Sequence, residues 1–317
     1  MMSNSRRHFL QNLAVLTTGL AIAPDAFSGM HADVTYKLSL AQWSLHRMLR
    51  SGKLDNLDFP AFTKKQFDIS IVEYVNQFFM DKAKDSKYLS TLLSRCNDNG
   101  VKNHLIMVDG EGELGSLDKT KRQKAIEDHY KWVDAAKFLG CATIRVNAYG
   151  VGTPEAVQDA CTDGIGRLGE YAQKSDINVI IENHGGMSSH GDWLLALMKK
   201  VNMKNVGILP DFGNFCVRRE GGQLYNGKCV EEYDRYKAVQ MWMPYTKGIS
   251  AKTLELDASG NCVETDYVKM MKIIKDGAFK GTIGIEFEGD QLSEEAGILA
   301  TKTLLQKVGR TVGYTIS

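Results

Sequence analysis

Eight short apolar runs recur along this chain at intervals of about 30 to 40 residues, and that rhythm constrains its fold more than any other feature. They are Lys37–Trp43, Ile69–Val75, Val101–Val108, Ala142–Asn147, Asn178–Glu182, Val206–Asp211, Gly248–Lys252 and Thr282–Phe287. Rich in Ile, Val and Leu with little polar alternation, they read as parallel strands buried on both faces. Between them lie helical patterns. Thr120 to Leu139 carries Ile126, Tyr130, Val133 and Ala136 near a 3.6 period, with Gly140 placed as a C-cap. Thr153-Pro154-Glu155 sets a capping residue before a proline at the first helical position, and Ser293-Glu294-Glu295 opens the last helix in the same manner. Eight strand–helix units in about 280 residues predict an α/β fold, a (β/α)8 TIM barrel spanning residues 34–317 as one domain. The competing open, doubly wound sheet calls for a glycine-rich phosphate loop, and neither G-x-G-x-x-G nor a P-loop is present. The longest connection, Phe212 to Lys247, is expected to cover part of the barrel mouth.

Charge narrows the partners. Lys and Arg number 39 against 38 Asp and Glu, a net charge of +1 that offers no basic surface for a nucleic acid. The six cysteines are scattered without a Cys-x-x-Cys pair and read as single buried thiols, with a Cys216–Cys229 disulfide left open. At the N-terminus, Ser5-Arg6-Arg7-His8-Phe9-Leu10 precedes the uncharged run Leu13 to Ala23. Residues 1–33 thus resemble a twin-arginine translocation signal, whose cargo crosses the membrane folded. The expectation is an exported, periplasmic protein with no stable membrane span after cleavage; an uncleaved anchor is the alternative. A homo-oligomer is compatible with the sequence but not specified by it.

Three of the apolar runs close on a carboxylate: Glu182, Asp211 and Glu286. A charge straight after a buried strand is costly unless it is hydrogen-bonded or bound to a cation. In a barrel all three strand ends converge at the active-site mouth, so these acids point to one divalent metal site. The remaining strand ends supply Gln42, Trp43, Glu73, Tyr74, Asn76, Asp109, Arg145, Asn147, His184, Asn214, Ser250, Lys252 and Glu288. Amides to bond hydroxyls and rings to stack on a sugar face make this a carbohydrate pocket. Gln42, Trp43, Glu73, Tyr74, Asn147, His184 and Asn214 are the expected substrate contacts. Oxygen donors suit Mn²⁺, Mg²⁺ or Zn²⁺. Lys252 is placed either to stabilise an enolate or to pair with Glu286 or Glu73.

Five strings carry a family resemblance: Ser-Leu-Ala-Gln-Trp-Ser-Leu-His, Val-Glu-Tyr-Val-Asn-Gln-Phe-Phe, Ile-Ile-Glu-Asn-His-Gly-Gly, Leu-Pro-Asp-Phe-Gly-Asn-Phe and Ile-Gly-Ile-Glu-Phe-Glu-Gly. In order and placement they resemble the xylose isomerase-like sugar phosphate isomerase/epimerase superfamily over nearly the whole chain beyond residue 34. The resemblance implies a divalent ion held by Glu on the fifth strand, Asp on the sixth, His on the seventh and Glu on the eighth, the two glutamates also acting as acid and base. Glu182, Asp211 and Glu286 match. Ser250 stands where the histidine is expected, and Asn214 replaces a second common histidine. Serine is a poor ligand, which leaves His184 or water to complete the set.

The function expected is a metal-dependent isomerase or epimerase of a small sugar, keto-sugar or cyclitol. Glu182 and Glu286 would move the proton, Asp211 would anchor the ion, and Lys252 would help at the oxyanion. The alternatives are a lyase or hydrolase that eliminates from keto-glycosides, and a carbohydrate-binding barrel without turnover.

Overall fold

The computed structural model describes residues 34–316. The export segment read at residues 1–33 lies outside them. Eight parallel strands form the barrel: β1 (Val34–Ala41), β2 (Ile71–Val75), β3 (Lys102–Met107), β4 (Thr143–Asn147), β5 (Asn178–Glu182), β6 (Val206–Leu209), β9 (Ile249–Thr253) and β10 (Thr282–Phe287). Their order is β6-β5-β4-β3-β2-β1-β10-β9. Two parallel bridges, Ile208 to Thr246 and Asp211 to Ser250, close the ring between β6 and β9. Pro210 interrupts β6 because it has no N–H to give, yet its carbonyl still accepts from Ser250 N at 3.0 Å. That closure sets Asp211 and Ser250 side by side.

The outer layer consists of α1 (His46–Arg50), α2 (Phe59–Phe67), α3 (Ser86–Asp98), α4 (Lys119–Leu139), α5 (Pro154–Gln173), α6 (Gly191–Val201), α7 (Arg235–Trp242), α8 (Tyr267–Asp276) and α9 (Glu294–Val312). The caps read from the sequence are present. Gly140 ends α4 at φ 74°, the left-handed region that glycine enters freely. Thr153 and Ser293 accept from the Ala156 and Ala296 amides at the starts of α5 and α9. Glu294 does more than favour a helix start. Buried, it accepts from the backbone amides of Arg47 and Met48 at 2.6 and 3.0 Å, tying α9 to the first turn of α1.

Two features were not read from the sequence. β7 (Cys216–Arg219) and β8 (Cys229–Glu232) form an antiparallel ribbon inside the long β6–β9 connection. β11 (Tyr314–Ile316) pairs with Val34–Tyr36 at the start of β1.

Strand parity organises the interior. Val72, Tyr74, Ile144, Val146, Val179 and Ile181 pack outward against the helices. Ala41, Val75, Leu105, Met107, Ile180 and Leu209 form a separate cluster inside the barrel. Successive side chains of a strand point to opposite faces, so Glu73, Arg145 and Glu182 share the inner face.

Glu73 lies in that interior. It accepts from Ser39 Oγ, and a Cβ at Gly284 would meet its Oε2 at 2.8 Å, so only glycine leaves it room. Burial pushes its carboxyl up from 4.5 to about 7; the Ser39 hydrogen bond opposes this and the Glu286 charge adds to it. A carboxyl that holds its proton more tightly folded than unfolded contributes stability that is full below pH 4.5 and lost as pH rises through 7. Replacing Glu73 by Gln should leave stability near pH 4.5 little changed and raise it by about 3 kcal/mol at pH 8. Urea unfolding of both proteins at the two pH values checks this; equal stability at pH 8 contradicts the buried-acid reading.

Candidate functional site

Glu182, Asp211 and Glu286 converge at the C-terminal mouth of the barrel, with one oxygen from each within 4.8 Å of the others. All three are buried, at 1, 0 and 4% exposure. Asn183 holds the β5 and β6 ends together: its Oδ1 accepts from Asp211 N at 2.7 Å, while its Nδ2 donates to the Asp211 carbonyl at 2.9 Å. Gly213 N donates to Asp211 Oδ1 at 2.8 Å and Asn214 Nδ2 to Glu182 Oε1 at 3.1 Å.

Ser250, where the family resemblance expects histidine, places Oγ 2.7 Å from Asp211 Oδ2 and 2.8 Å from Glu286 Oε2. A hydroxyl has one proton to donate. It satisfies one carboxylate, and the second contact needs a proton on a carboxyl or a cation nearby. The charges agree. Burial pushes Glu182 well above the ordinary carboxylate range; Arg145 opposes, while Glu286 and Asp211 add to the rise. Burial also raises Asp211 and Glu286, with Lys252 opposing in both.

Two cations face this floor. Lys252 Nζ lies 3.4 Å from Asp211 Oδ2, 3.6 Å from Glu286 Oε1 and 3.3 Å from Glu288 Oε1. Burial opposes its charge, but those carboxylates outweigh it and hold the ammonium protonated. Arg145 donates to Asp109 Oδ1 at 2.6 Å, and its Nε lies 2.7 Å from Glu182 Oε2 in an ion pair not aligned as a hydrogen bond. Glu182 Oε2 is thus a buried acceptor without a hydrogen-bond donor.

Asn147 Nδ2 donates to Asp109 Oδ1 at 2.7 Å, which turns its Oδ1 toward His184 Nδ1 at 2.9 Å. This network assigns the proton of His184 to Nδ1 and leaves Nε2 as an acceptor. Burial, then Arg145 and Lys252, lower the His184 pKa to about 3, so the ring is neutral.

Above the floor opens a cavity of about 520 Å³. Trp43, Asp109, Arg145, Asn147, His184, Asn214, Lys252, Glu286 and Glu288 line it. Trp43 stacks on His46 at 5.0 Å. The β7–β8 ribbon adds Arg219, Leu224 and Tyr225, the last with its ring 5.0 Å from that of His184. The Cys216–Cys229 disulfide, Cα to Cα 5.8 Å, fastens the ribbon's base.

Four expectations need correction. Gln42 follows the end of β1; its Nε2 donates to Asn56 and its Oε1 accepts from Val75 N, so it braces the wall and does not line the cavity. Tyr74 points outward by strand parity and bonds Asn103 at 2.7 Å. Glu73 points inward but lies among Ser39 and Gly284, away from the lining. His184 lines the cavity without joining the three-acid cluster, because Asn147 holds its ring. The Asp109–Arg145 pair, Asn183 and Tyr225 were not assigned roles from the sequence. Arg145 was within reach, since it sits two residues before Asn147 and shares its face; Tyr225 was not, because no pattern announced the ribbon.

Residues 65–308 match the model of the xylose isomerase-like TIM barrel family. The chain belongs to that family. Solved structures agree in fold. A xylose isomerase domain protein from Planctomyces limnophilus aligns with TM-score 0.64 at 14% identity, over 88% of this chain and 98% of that one. The 3-keto-D-glucoside 4-epimerase YcjR from E. coli aligns with TM-score 0.61 at 12% identity, over 79% and 94%. The IOLI protein with a bound zinc atom aligns with TM-score 0.64 at 13% identity, over 87% and 99%. At such identities the likeness carries the fold alone. No curated protein sequence matches. No helix among the described residues is long and apolar enough to cross a membrane.

The disulfide spans 13 residues, a closure worth about 3 kcal/mol. Cys229→Ser should expose the segment between residues 216 and 232 to proteases and lower Tm; an unchanged digestion pattern would mean strand pairing alone holds the ribbon.

Proposed function

We propose that this protein is a divalent-metal-dependent isomerase or epimerase acting on a small carbohydrate by carboxylate-mediated proton transfer. The observation that carries the reading is the buried acidic floor. Glu182, Asp211 and Glu286 offer three converging oxygens, and the Glu182 carboxylate carries a buried oxygen without a hydrogen-bond donor. With Asp109 and Glu288, five carboxylates of the site have, among the described residues, only Lys252 and Arg145 within ion-pair distance. That excess of negative charge fits a dication. Glu182, Asp211 and Glu286 would hold it, and oxygen donors without an imidazole favour Mg²⁺ or Mn²⁺ over Zn²⁺. When bound, the ion supplies Lewis-acid polarisation of a substrate carbonyl.

The chain's own residues supply the rest. Glu182 on β5 and Glu286 on β10 flank the floor from different strands, which suits removing a proton α to a carbonyl and returning it. The Lys252 ammonium is fixed beside Glu286, where it stabilises charge developing on an enolate oxygen. Neutral His184 presents Nε2, and Asn214 an amide, to sugar hydroxyls. Tyr225 offers a ring face to the sugar, and Trp43 lines the same cavity.

A second reading, β-elimination from a keto-glycoside, uses the same proton abstraction. It is favoured by a cleft of about 200 Å³ that shares Cys216, Arg219 and Leu224 with the mouth cavity and gives an aglycone room. The disulfide supports export, since such bonds persist in oxidising compartments.

Glu182→Gln should reduce deuterium wash-in from D₂O into a panel of keto- and aldo-hexoses by roughly a thousandfold and weaken Mn²⁺ retention, with the circular dichroism spectrum unchanged. Retained exchange would remove Glu182 from the mechanism, and absence of exchange by the wild type on every sugar tested would favour a barrel that only binds. Ser250→His sets an imidazole between Asp211 and Glu286 and should tighten Mn²⁺ or Zn²⁺ binding at least about tenfold by calorimetry. Unchanged affinity would show a site built on other geometry.

A further inference from the structure

The arginines of this barrel divide sharply by their partners. Ten lie among the described residues, and seven of them stand within ion-pair distance of a carboxylate. Of the three without one, Arg310 is on α9, while Arg50 and Arg219 both line the mouth cavity.

Both are held in place. Arg50 lies with Cζ 4.8 Å over the Trp43 ring, a cation–π contact that orients a guanidinium without neutralising it. It ends α1, whose first amides are fixed by Glu294. Arg219 donates from Nη1 to the Gly227 carbonyl at 2.9 Å and pairs in register with disulfide-bonded Cys229. Its Nε is buried with no hydrogen-bond partner. Its neighbour Arg218 is exposed and paired with Glu231 across the ribbon at 3.1 Å. Arg219 instead sits where the mouth cavity meets the adjoining cleft.

A chain that pairs most of its arginines yet leaves two unneutralised in one cavity provides for an anion from outside. The planar fork of a guanidinium matches a carboxylate through two parallel N–H···O bonds. Two separate guanidiniums, rather than a basic cluster, suit a monoanion better than a phosphate dianion. We infer that the substrate is an acidic sugar: a hydroxylated ring at the carboxylate floor, bearing a carboxylate that Arg219 receives, with Arg50 as the second cation of the rim. This deepens the sugar-isomerase reading and rests on it.

Calorimetric titration of the Mn²⁺-supplemented protein with D-galacturonate, D-galactose and D-galactose 6-phosphate tests the assignment. Galacturonate should bind at least roughly tenfold tighter than galactose, and the gap should shrink as salt rises. Arg219→Gln should remove most of the gap while Mn²⁺ binding reports an intact fold, and Arg50→Gln should narrow it. Equal affinity for acid and neutral sugar, a gap that survives in Arg219→Gln, or tighter binding of the phosphate ester overturns the carboxylate assignment. Galactose bound without preference leaves the sugar reading standing and removes only this inference. Failure of every sugar to bind a protein that still takes up Mn²⁺ removes both.

Discussion

Concentrated negative charge under low dielectric is the constraint on which this molecule turns. Three buried carboxylates meet at one place, and burying such groups unpaired is costly. The surrounding structure reads as a set of responses to that cost. Lys252 threads against Gly213, where a side chain would meet its Cδ at 2.8 Å, to bring an ammonium beside Asp211 and Glu286. Arg145 stands between Asp109 and Glu182. Ser250 spans two acids with one hydroxyl. These contacts moderate the charge without cancelling it.

The same arrangement fills the place of the histidine expected on the seventh barrel strand. An imidazole there would donate a lone pair to an ion. Serine and lysine instead hold Asp211 and Glu286 apart from full mutual repulsion. His184, the natural substitute, is bonded to Asn147, and its neutrality follows from burial beside two permanent cations.

The mouth is asymmetric. One side is rigid barrel, where Trp43 rests on His46; the other is the added ribbon, pinned by a disulfide and carrying Tyr225, Leu224 and Arg219. The three acids sit at or just past strand ends and the ribbon residues on a loop insertion, the division general in barrels whose βα loops carry specificity.

The barrel itself was legible in the sequence because its signals are local. Apolar runs, Gly140, Thr153 and Ser293 each report on their own few residues, and strands buried on both faces leave a hydrophobic trace that needs no partner to be recognised. The three acids were legible for the same reason, as charges ending apolar runs in a fold that sends every strand end to one place. Which polar neighbour faces inward was not: a strand's parity relative to the barrel axis is set by register against the strands beside it, so Tyr74 turned away while Arg145 turned in. Pairing across long separations was equally hidden. Only the closed ring brings Ser250 and Lys252 to Asp211, and only the tertiary structure brings a ribbon from the sixth connection to the mouth cavity, because those contacts depend on where distant segments end in space and not on what precedes or follows them in the chain.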